Sequence, residues 1–207
     1  MSSSWLNQEQ EKVLHRWWHG LQPIAEDDAQ AWSRRKGFHD LGRGDRASLR
    51  RCTTPGDVVL QPACVRLIFA LSEVGRPMLV TEPAACALVV GLIARVDHAA
   101  GAAARPFASQ LGKPREGGAG PLLSRLRFEQ LLAAETEEDL FLRVRRALDM
   151  LAGQSIHIVE LANDLFGWID ELRGHKPIVA TDRVRVRWAL SYFGEFPRTS
   201  PTAKAET

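Results

Sequence analysis

Lysine is scarce in this chain. Of its 27 basic residues only Lys12, Lys36, Lys113, Lys176 and Lys204 are lysines, which leaves 22 arginines. Cysteine is scarce as well. Cys52, Cys64 and Cys86 are odd in number and lack C-x-x-C spacing, which argues against a disulfide framework or a zinc cluster and fits a reducing cytoplasm. No apolar run reaches membrane-spanning length; Leu88 to Ile93 is short and ends before Arg95. The opening Met1-Ser-Ser-Ser-Trp turns polar at once, so no signal peptide is expected and a cytoplasmic location is. There is no strand-like alternation of useful length, no internal repeat and no coiled coil. A Walker lysine loop, G-x-G-x-x-G, G-x-S-x-G and H-E-x-x-H are all absent. Gly42-Arg43-Gly44 and the glycines at 117, 118 and 120 lack the strand context a phosphate loop needs.

What is present is helical periodicity and clustered arginine. The 207 residues are 45% apolar, enough for one large domain or two small ones with a real core. Net charge is only +2, so any polyanion site must come from sorting charge onto one face. Asn7 with Gln10 predicts a capped helix whose stripe is Val13, Leu14, Trp17, Trp18 and Leu21, stopped at Gln22-Pro23. A short helix is expected over Asp27 to Lys36, then a loop to Gly44. Asp45 is expected to cap a helix carrying Leu49 and Cys52, which Thr53-Thr54-Pro55-Gly56 ends. Pro62 opens a helix with Val65, Leu67, Ile68 and Leu71. Pro83 opens another, to about His98, apolar nearly all round and therefore buried.

Gly101 to Gly120 is rich in Gly, Ala and Pro and offers little to bury, so residues 105–120 are read as a flexible linker. This divides the chain into units 1–104 and 121–196, with a disordered tail at 197–207. Four helices are expected after the linker. Pro121 opens the first. The second spans Glu137 to Leu151, with Leu140, Phe141, Val144, Ala147, Leu148 and Leu151 within about 120° of arc. Arg143 and Arg145 then flank this stripe and Arg146 lies opposite it. Ser155 is expected to cap the third, which carries Ile158, Leu161, Leu165, Trp168, Ile169 and Leu172 and ends at Gly174. Thr181 or Asp182 is expected to cap the last. Burial is expected for Trp17, Trp168 and Trp188.

The candidate sites follow from this layout. Arg50 and Arg51 open onto the turn after the Asp45 helix. Arg125 and Arg127 begin the helix after the linker. Arg183 and Arg187 share a face, with Arg185 between them. A guanidinium is planar, permanently charged and able to fork two donors onto a phosphate, so these clusters suit backbone contact without base reading. Salt bridging to Glu137, Glu138 or Asp182 is the plainer alternative. His15 and His19 are four apart on one helix and would need a third ligand to hold a metal; flanking the tryptophan stripe is the alternative. Glu160 and Asp164, with Asp170-Glu171 further on, could hold Mg²⁺ in an all-α hydrolase or form an exposed acidic face. A protein-only helical adaptor, its arginines serving partner interfaces, also remains open.

The order of several segments carries a resemblance. After Trp17-Trp18-x-x-Leu21 come ASLRRC at Ala47–Cys52 and LQPACVRL at Leu60–Leu67. SRLRFEQLLAAE at Ser124–Glu135 and LFLRVRRALDML at Leu140–Leu151 follow. LANDLFGW at Leu161–Trp168 and VRVRWALSYFG at Val184–Gly194 complete the series. From about residue 10 to 195 the chain resembles the CasB family, the small subunit of Cascade, the type I-E CRISPR surveillance complex. The resemblance implies a non-catalytic all-α protein of two small helical bundles, with no cofactor. It implies two copies packed head to tail beside the backbone and large subunits. They would line the guide RNA–target DNA path and hold the displaced strand of the R-loop in antiviral defence. Arg50 and Arg51, Arg125 and Arg127, and Arg143, Arg145 and Arg146 match the family's basic positions. Arg183, Arg185 and Arg187 are inferred from the residues alone. Against shorter members, residues 24–44 look like an insertion holding Arg34, Arg35, Lys36 and Arg43, and the tail after Pro197 is extra.

Overall fold

Residues 4–23, 29–75, 78–101, 104–114 and 120–196 are described in a computed structural model. The fold is all-α: twelve helices, one 3-10 turn and two strands of two residues each among these residues. The helices are α1 (Gln8–Gly20), α2 (Ala29–Arg34), α3 (Arg43–Arg51), α4 (Pro55–Val59), α5 (Pro62–Val74) and α6 (Met78–Thr81). They continue with α7 (Pro83–Ile93), α8 (Phe107–Gly112), α9 (Arg125–Leu132), α10 (Glu137–Met150), α11 (Ile158–Leu172) and α12 (Val184–Phe193). Strands β1 (His98–Ala99) and β2 (Ser155–Ile156) pair in parallel, too short for their alternation to show in sequence. No described helix is long and apolar enough to cross a membrane.

Helix α7 is the centre. Every residue from Ala85 to Ile93 is buried, as its all-round apolar surface predicts. It packs on α4, α5 and α6 from one half of the chain and on α10 and α11 from the other. Buried apolar side chains on both sides of the expected boundary form one continuous cluster, from Leu6 to Tyr192. Against it α1 lays Val13, Leu14, Trp17 and Trp18. The Trp17 indole N–H donates to the Ala63 carbonyl at 2.9 Å and that of Trp18 to Val96 at 3.2 Å. A buried indole N–H left unpaired is costly, so these bonds fix where the stripe docks.

Several starts differ from expectation. The capping box of α1 forms as predicted, Asn7 Oδ1 accepting the Gln10 amide at 2.9 Å and Gln10 Oε1 the Asn7 amide at 3.1 Å. Asp45 does not occupy the cap position of α3. It is the third helical residue and reaches back to accept the Gly42 amide at 2.9 Å. The Thr53 to Gly56 turn ends α3 and also begins α4, because Thr54 accepts the Asp57 amide at 3.1 Å and Pro55 suits the first helical position. Pro121 bridges Pro114 instead of opening α9, which follows Ser124. Ser155 lies in β2, and His157 caps α11, its Nδ1 accepting the Glu160 amide at 3.0 Å. Thr181 and Asp182 belong to the 3-10 turn; the first amide of α12, Val184 N–H, donates at 2.6 Å to the Glu171 carboxylate of α11. That cap comes from another helix, so no local pattern announces it.

The segment read as a flexible linker is corrected in part. Residues 107–112 form α8 and all six are buried. Phe107 and Leu111 stand one turn apart and give the helix an apolar edge, in a run too short for a period to register. It docks on α12 so closely that a Cβ on Gly112 would stand 2.4 Å from the Tyr192 carbonyl oxygen. Within the expected insertion, Phe38 and Leu41 are buried, and buried Arg35 donates to the Gln22 and Leu41 carbonyls. Residues 24–28, 115–119 and the tail at 197–207 lie outside the described residues.

Candidate nucleic-acid interface

The apolar stripe of α10 (Leu140, Phe141, Val144, Ala147, Leu148) faces the core, and the helical period then sets where its arginines go. Helix α9 runs beside it, anchored by buried Phe128 and Leu131. Between them lies a groove of about 700 Å³. Arg127 from α9 and Arg143 and Arg146 from α10 line it, together with Asp139 and Asp149. Arg127 and Arg146 are exposed and make no hydrogen bond or ion pair among the described residues. Arg143 is half-buried: its Nε donates to Asp139 Oδ1 at 2.5 Å, and its Nη1 to the Gln130 carbonyl.

Arg145 reaches from the side of α10 away from the groove to the end of α3, which carries Arg50 and Arg51. Arg145 Nη1 lies 3.5 Å from the Cys52 carbonyl, so α10 touches the residue that follows Arg51. Arg51 is exposed and among the described residues donates only to Ser48 Oγ, at 3.0 Å. Arg50 pairs with Asp97 at 3.1 Å. Beneath them is a charged hub that sequence reasoning missed. Arg46 donates to Asp97 at 2.9 Å and to the Val96 carbonyl at 2.8 Å. Buried Arg95 pairs with Asp149 at 3.2 Å and donates to the Arg50 carbonyl. Burial, with the Arg145 and Arg50 charges, lowers the Arg95 pKa against the pull of Asp149. Burial opposes ionisation of Asp97. The Gly153 amide and the Arg46 and Arg50 guanidinium groups outweigh it and hold the carboxyl below the usual value. The only sequence signal for this hub was Arg95 closing the apolar run of α7. Arg145 and Arg146 are consecutive, so the groove and the hub are joined through one helix.

The remaining predicted arginines are placed elsewhere. Arg125 is exposed on α9, paired with Glu129 at 2.8 Å and lying 5.8 Å from the Phe193 ring centre. Arg183 donates to the Pro177 carbonyl at 3.2 Å. Arg185 donates to the Ala134 carbonyl at 2.5 Å and lies 5.5 Å over the Trp168 ring. Arg187 donates to the Asp182 carbonyl at 2.6 Å and to the Asp164 carboxylate. These three are engaged within the fold and do not join the groove.

The acidic residues are dispersed among separate partners. Asp164 accepts from Arg187 on one oxygen and from the Trp188 indole, at 2.6 Å, on the other. Burial raises its pKa, and those two hydrogen bonds offset this only in part. Burial raises Glu160 too, with Asp164 adding to the effect. Asp170 pairs with His175 at 3.0 Å, and Glu171 caps α12. His15 and His19 are half-buried, and burial lowers both pKa values; His19 packs edge-on against Trp18 at 5.1 Å. Among the described residues no three His, Cys, Asp or Glu side chains converge to hold a metal. The three cysteines are free and buried, and burial pushes the Cys64 thiol up to about 12.

The family model for CRISPR-associated protein Cse2 matches residues 45–193. No curated protein and no solved structure matches the chain. The matched stretch takes in α3 from Asp45 onward with its two terminal arginines, the central α7, the α9–α10 groove and α12. It leaves α1 and the expected insertion outside. Matched over well more than half its length, the chain belongs to the Cse2 (CasB) family, whose members are the small subunit of type I-E Cascade.

Proposed function

We propose that this chain is a non-catalytic scaffold subunit that holds nucleic acid by its backbone, along the guide RNA–target DNA path and at the displaced strand of the R-loop. The observation that carries the reading is the α9–α10 groove, where Arg127 and Arg146 stand exposed with no carboxylate partner among the described residues. A guanidinium held on a helix and left unpaired is prepared for phosphate, since no internal ion pair must first be broken. Arg51 and Arg145 lie outside this groove, Arg51 donating to Ser48 Oγ and Arg145 to the Cys52 carbonyl. Nothing in such a surface reads base edges. In a guide-directed system base pairing reads sequence, and the protein needs only the backbone.

Full-length protein titrated with fluorescent single-stranded DNA and RNA at several salt concentrations tests this. Sequence-indifferent binding that falls steeply with salt is expected. The double variant Arg127→Ala, Arg146→Ala should flatten the salt dependence by roughly 1.4 in log–log slope, about 0.7 for each single-strand phosphate no longer neutralised. Binding by that variant indistinguishable from wild type sinks the groove assignment.

A protein-facing role is favoured by a different observation. Leu126 on α9 and Leu190 and Phe193 on α12 are exposed, with Arg125 beside Phe193. Exposed apolar side chains of this size suit contact with neighbouring subunits or a second copy of the chain. Co-purification with the other Cascade subunits that survives nuclease treatment and is lost on Leu190→Ser tests it.

A further inference from the structure

Two carboxylates share the groove with three arginines, and they stand differently. Asp149 is tied at 3.2 Å to Arg95, a buried guanidinium whose Nε lacks a partner among the described residues, so the fold itself needs that negative charge. Asp139 has no such duty. Its backbone amide makes the Thr136 cap at 3.1 Å, and among the described residues its side chain meets only Arg143, at 2.5 Å. We propose that Asp139 latches Arg143 and thereby sets the affinity of the groove, keeping the third arginine engaged until a strand phosphate displaces the carboxylate. This rests on the reading of the groove as a phosphate-contacting surface.

The geometry suits a weak, reversible latch. Asp139 and Arg143 are one helical turn apart and half-exposed. Pairs of this kind contribute little in water. An approaching phosphate meets repulsion from Asp139 and attraction from Arg143, so exchange of one anion for the other needs no change of fold. The Gln130 carbonyl holds the other edge of the guanidinium and keeps it in the groove when the carboxylate lets go. Asp139 is therefore a positioning residue that lowers affinity; without it, three arginines are open to phosphate instead of two. Glu138 is the natural control. It is the adjacent residue, exposed, outside the groove lining, and meets no partner among the described residues.

Full-length wild type, Asp139→Asn, Glu138→Gln and Arg127→Ala/Arg146→Ala are titrated with fluorescent single-stranded DNA over a range of salt. Asp139→Asn should bind about three- to fivefold more tightly at low salt, the strength of a partly exposed ion pair. It should also steepen the log–log salt slope by about 0.7, the counterion release of one further neutralised single-strand phosphate. Its melting midpoint should fall by no more than a few degrees, the loss of one partly exposed ion pair and one first-turn carboxylate, since the Thr136 cap uses only the backbone amide. Adding Arg143→Ala should erase the gain. An unchanged slope, a gain that survives Arg143→Ala, or an equal gain in Glu138→Gln overturns the latch. Wild-type binding untouched by Arg127→Ala/Arg146→Ala overturns the groove reading instead, and no binding by any form at low salt overturns both.

Discussion

Helices α10 and α12 look alike in sequence. One carries Arg143, Arg145 and Arg146 and the other Arg185 and Arg187, with Arg183 at its cap, each group interleaved with apolar residues of a buried stripe. Their guanidinium groups meet different fates, although Arg145 of α10 also finds a carbonyl, that of Cys52. On α12 Arg187 finds the largely buried carboxylate of Asp164, and Arg185 finds the Ala134 carbonyl and the face of Trp168. On α10 Arg146 finds nothing among the described residues, and Arg143 finds only an acid from its own helix and a carbonyl of α9. The difference lies in the neighbours. Helix α12 docks on α11, which presents Asp164 and Glu171 toward it. Helix α10 lies beside α9, whose groove-facing residues bring a further arginine. A run of arginines is thus structural or free according to the charge on the helix it packs against.

Breaking the α12 side should cost most. Arg187→Ala leaves the Asp164 carboxylate with the Trp188 indole alone. It should destabilise by about 2–3 kcal/mol, less than the roughly 3–5 for a fully buried pair because Arg187 is half-exposed. Denaturant midpoints at unchanged m-value measure this. Asp164 has a raised folded pKa, so the part of its contribution that depends on the proton is present below the unfolded value and is lost as pH rises through the raised one. The deficit of Arg187→Ala should accordingly shrink toward acid, where a neutral carboxyl needs no counter-charge. A deficit constant from about pH 4 to 7 would remove burial of the charge as its cause.

Asp97 should behave in the opposite sense. Its folded pKa is depressed, so its contribution is present above the unfolded carboxyl value, about 4, and is lost as pH falls through the folded one. Asp97→Asn should be less stable than wild type by about 1–2 kcal/mol near neutrality, with two guanidinium partners left behind. The gap should close below about pH 4. Chemical denaturation across this range checks it, and a gap that widens in acid contradicts the sign.

On the α3 side the two arginines should separate. Arg50→Ala removes one of the partners of Asp97 and should cost about 0.5–1 kcal/mol, whereas Arg51→Ala should stay within about 0.5. The smallest stability change is expected for Arg127→Ala/Arg146→Ala, within about 0.5 kcal/mol, alongside the largest loss of strand binding. If that variant melts early, the two helices are less different than their partners suggest.

Much of the helical plan was legible. The stripes of α1, α10 and α11 are long enough for the 3.6 period to register and α7 is apolar all round; most of their buried residues are the expected ones, but Leu172 is only half-buried and Glu171, read as part of an acidic face, is buried. The period also placed Arg146 opposite the α10 stripe. Short elements escaped: α4 hides in a turn, α6 spans four residues, and α8 lies in a stretch whose glycine and proline content suggested a linker. Caps were legible where donor and acceptor are three residues apart, as at Asn7. They were illegible where the acceptor comes from another helix, as Glu171 does for Val184. Of the candidate arginines, chain order alone could not tell Arg127 and Arg146 from Arg185 and Arg187.

By itself, then, the amino-acid order determined the helical class, the buried faces and the arginine-rich composition, because these depend on periodicity and residue chemistry within one or two turns. It also held the segments by which the family is matched, over residues 45–193. Only the tertiary structure decided which guanidinium groups are engaged. An ion pair such as Arg187 with Asp164, or Arg95 with Asp149, joins residues 23 and 54 positions apart. Coulomb attraction depends on distance and burial, and both exist only once the helices have packed.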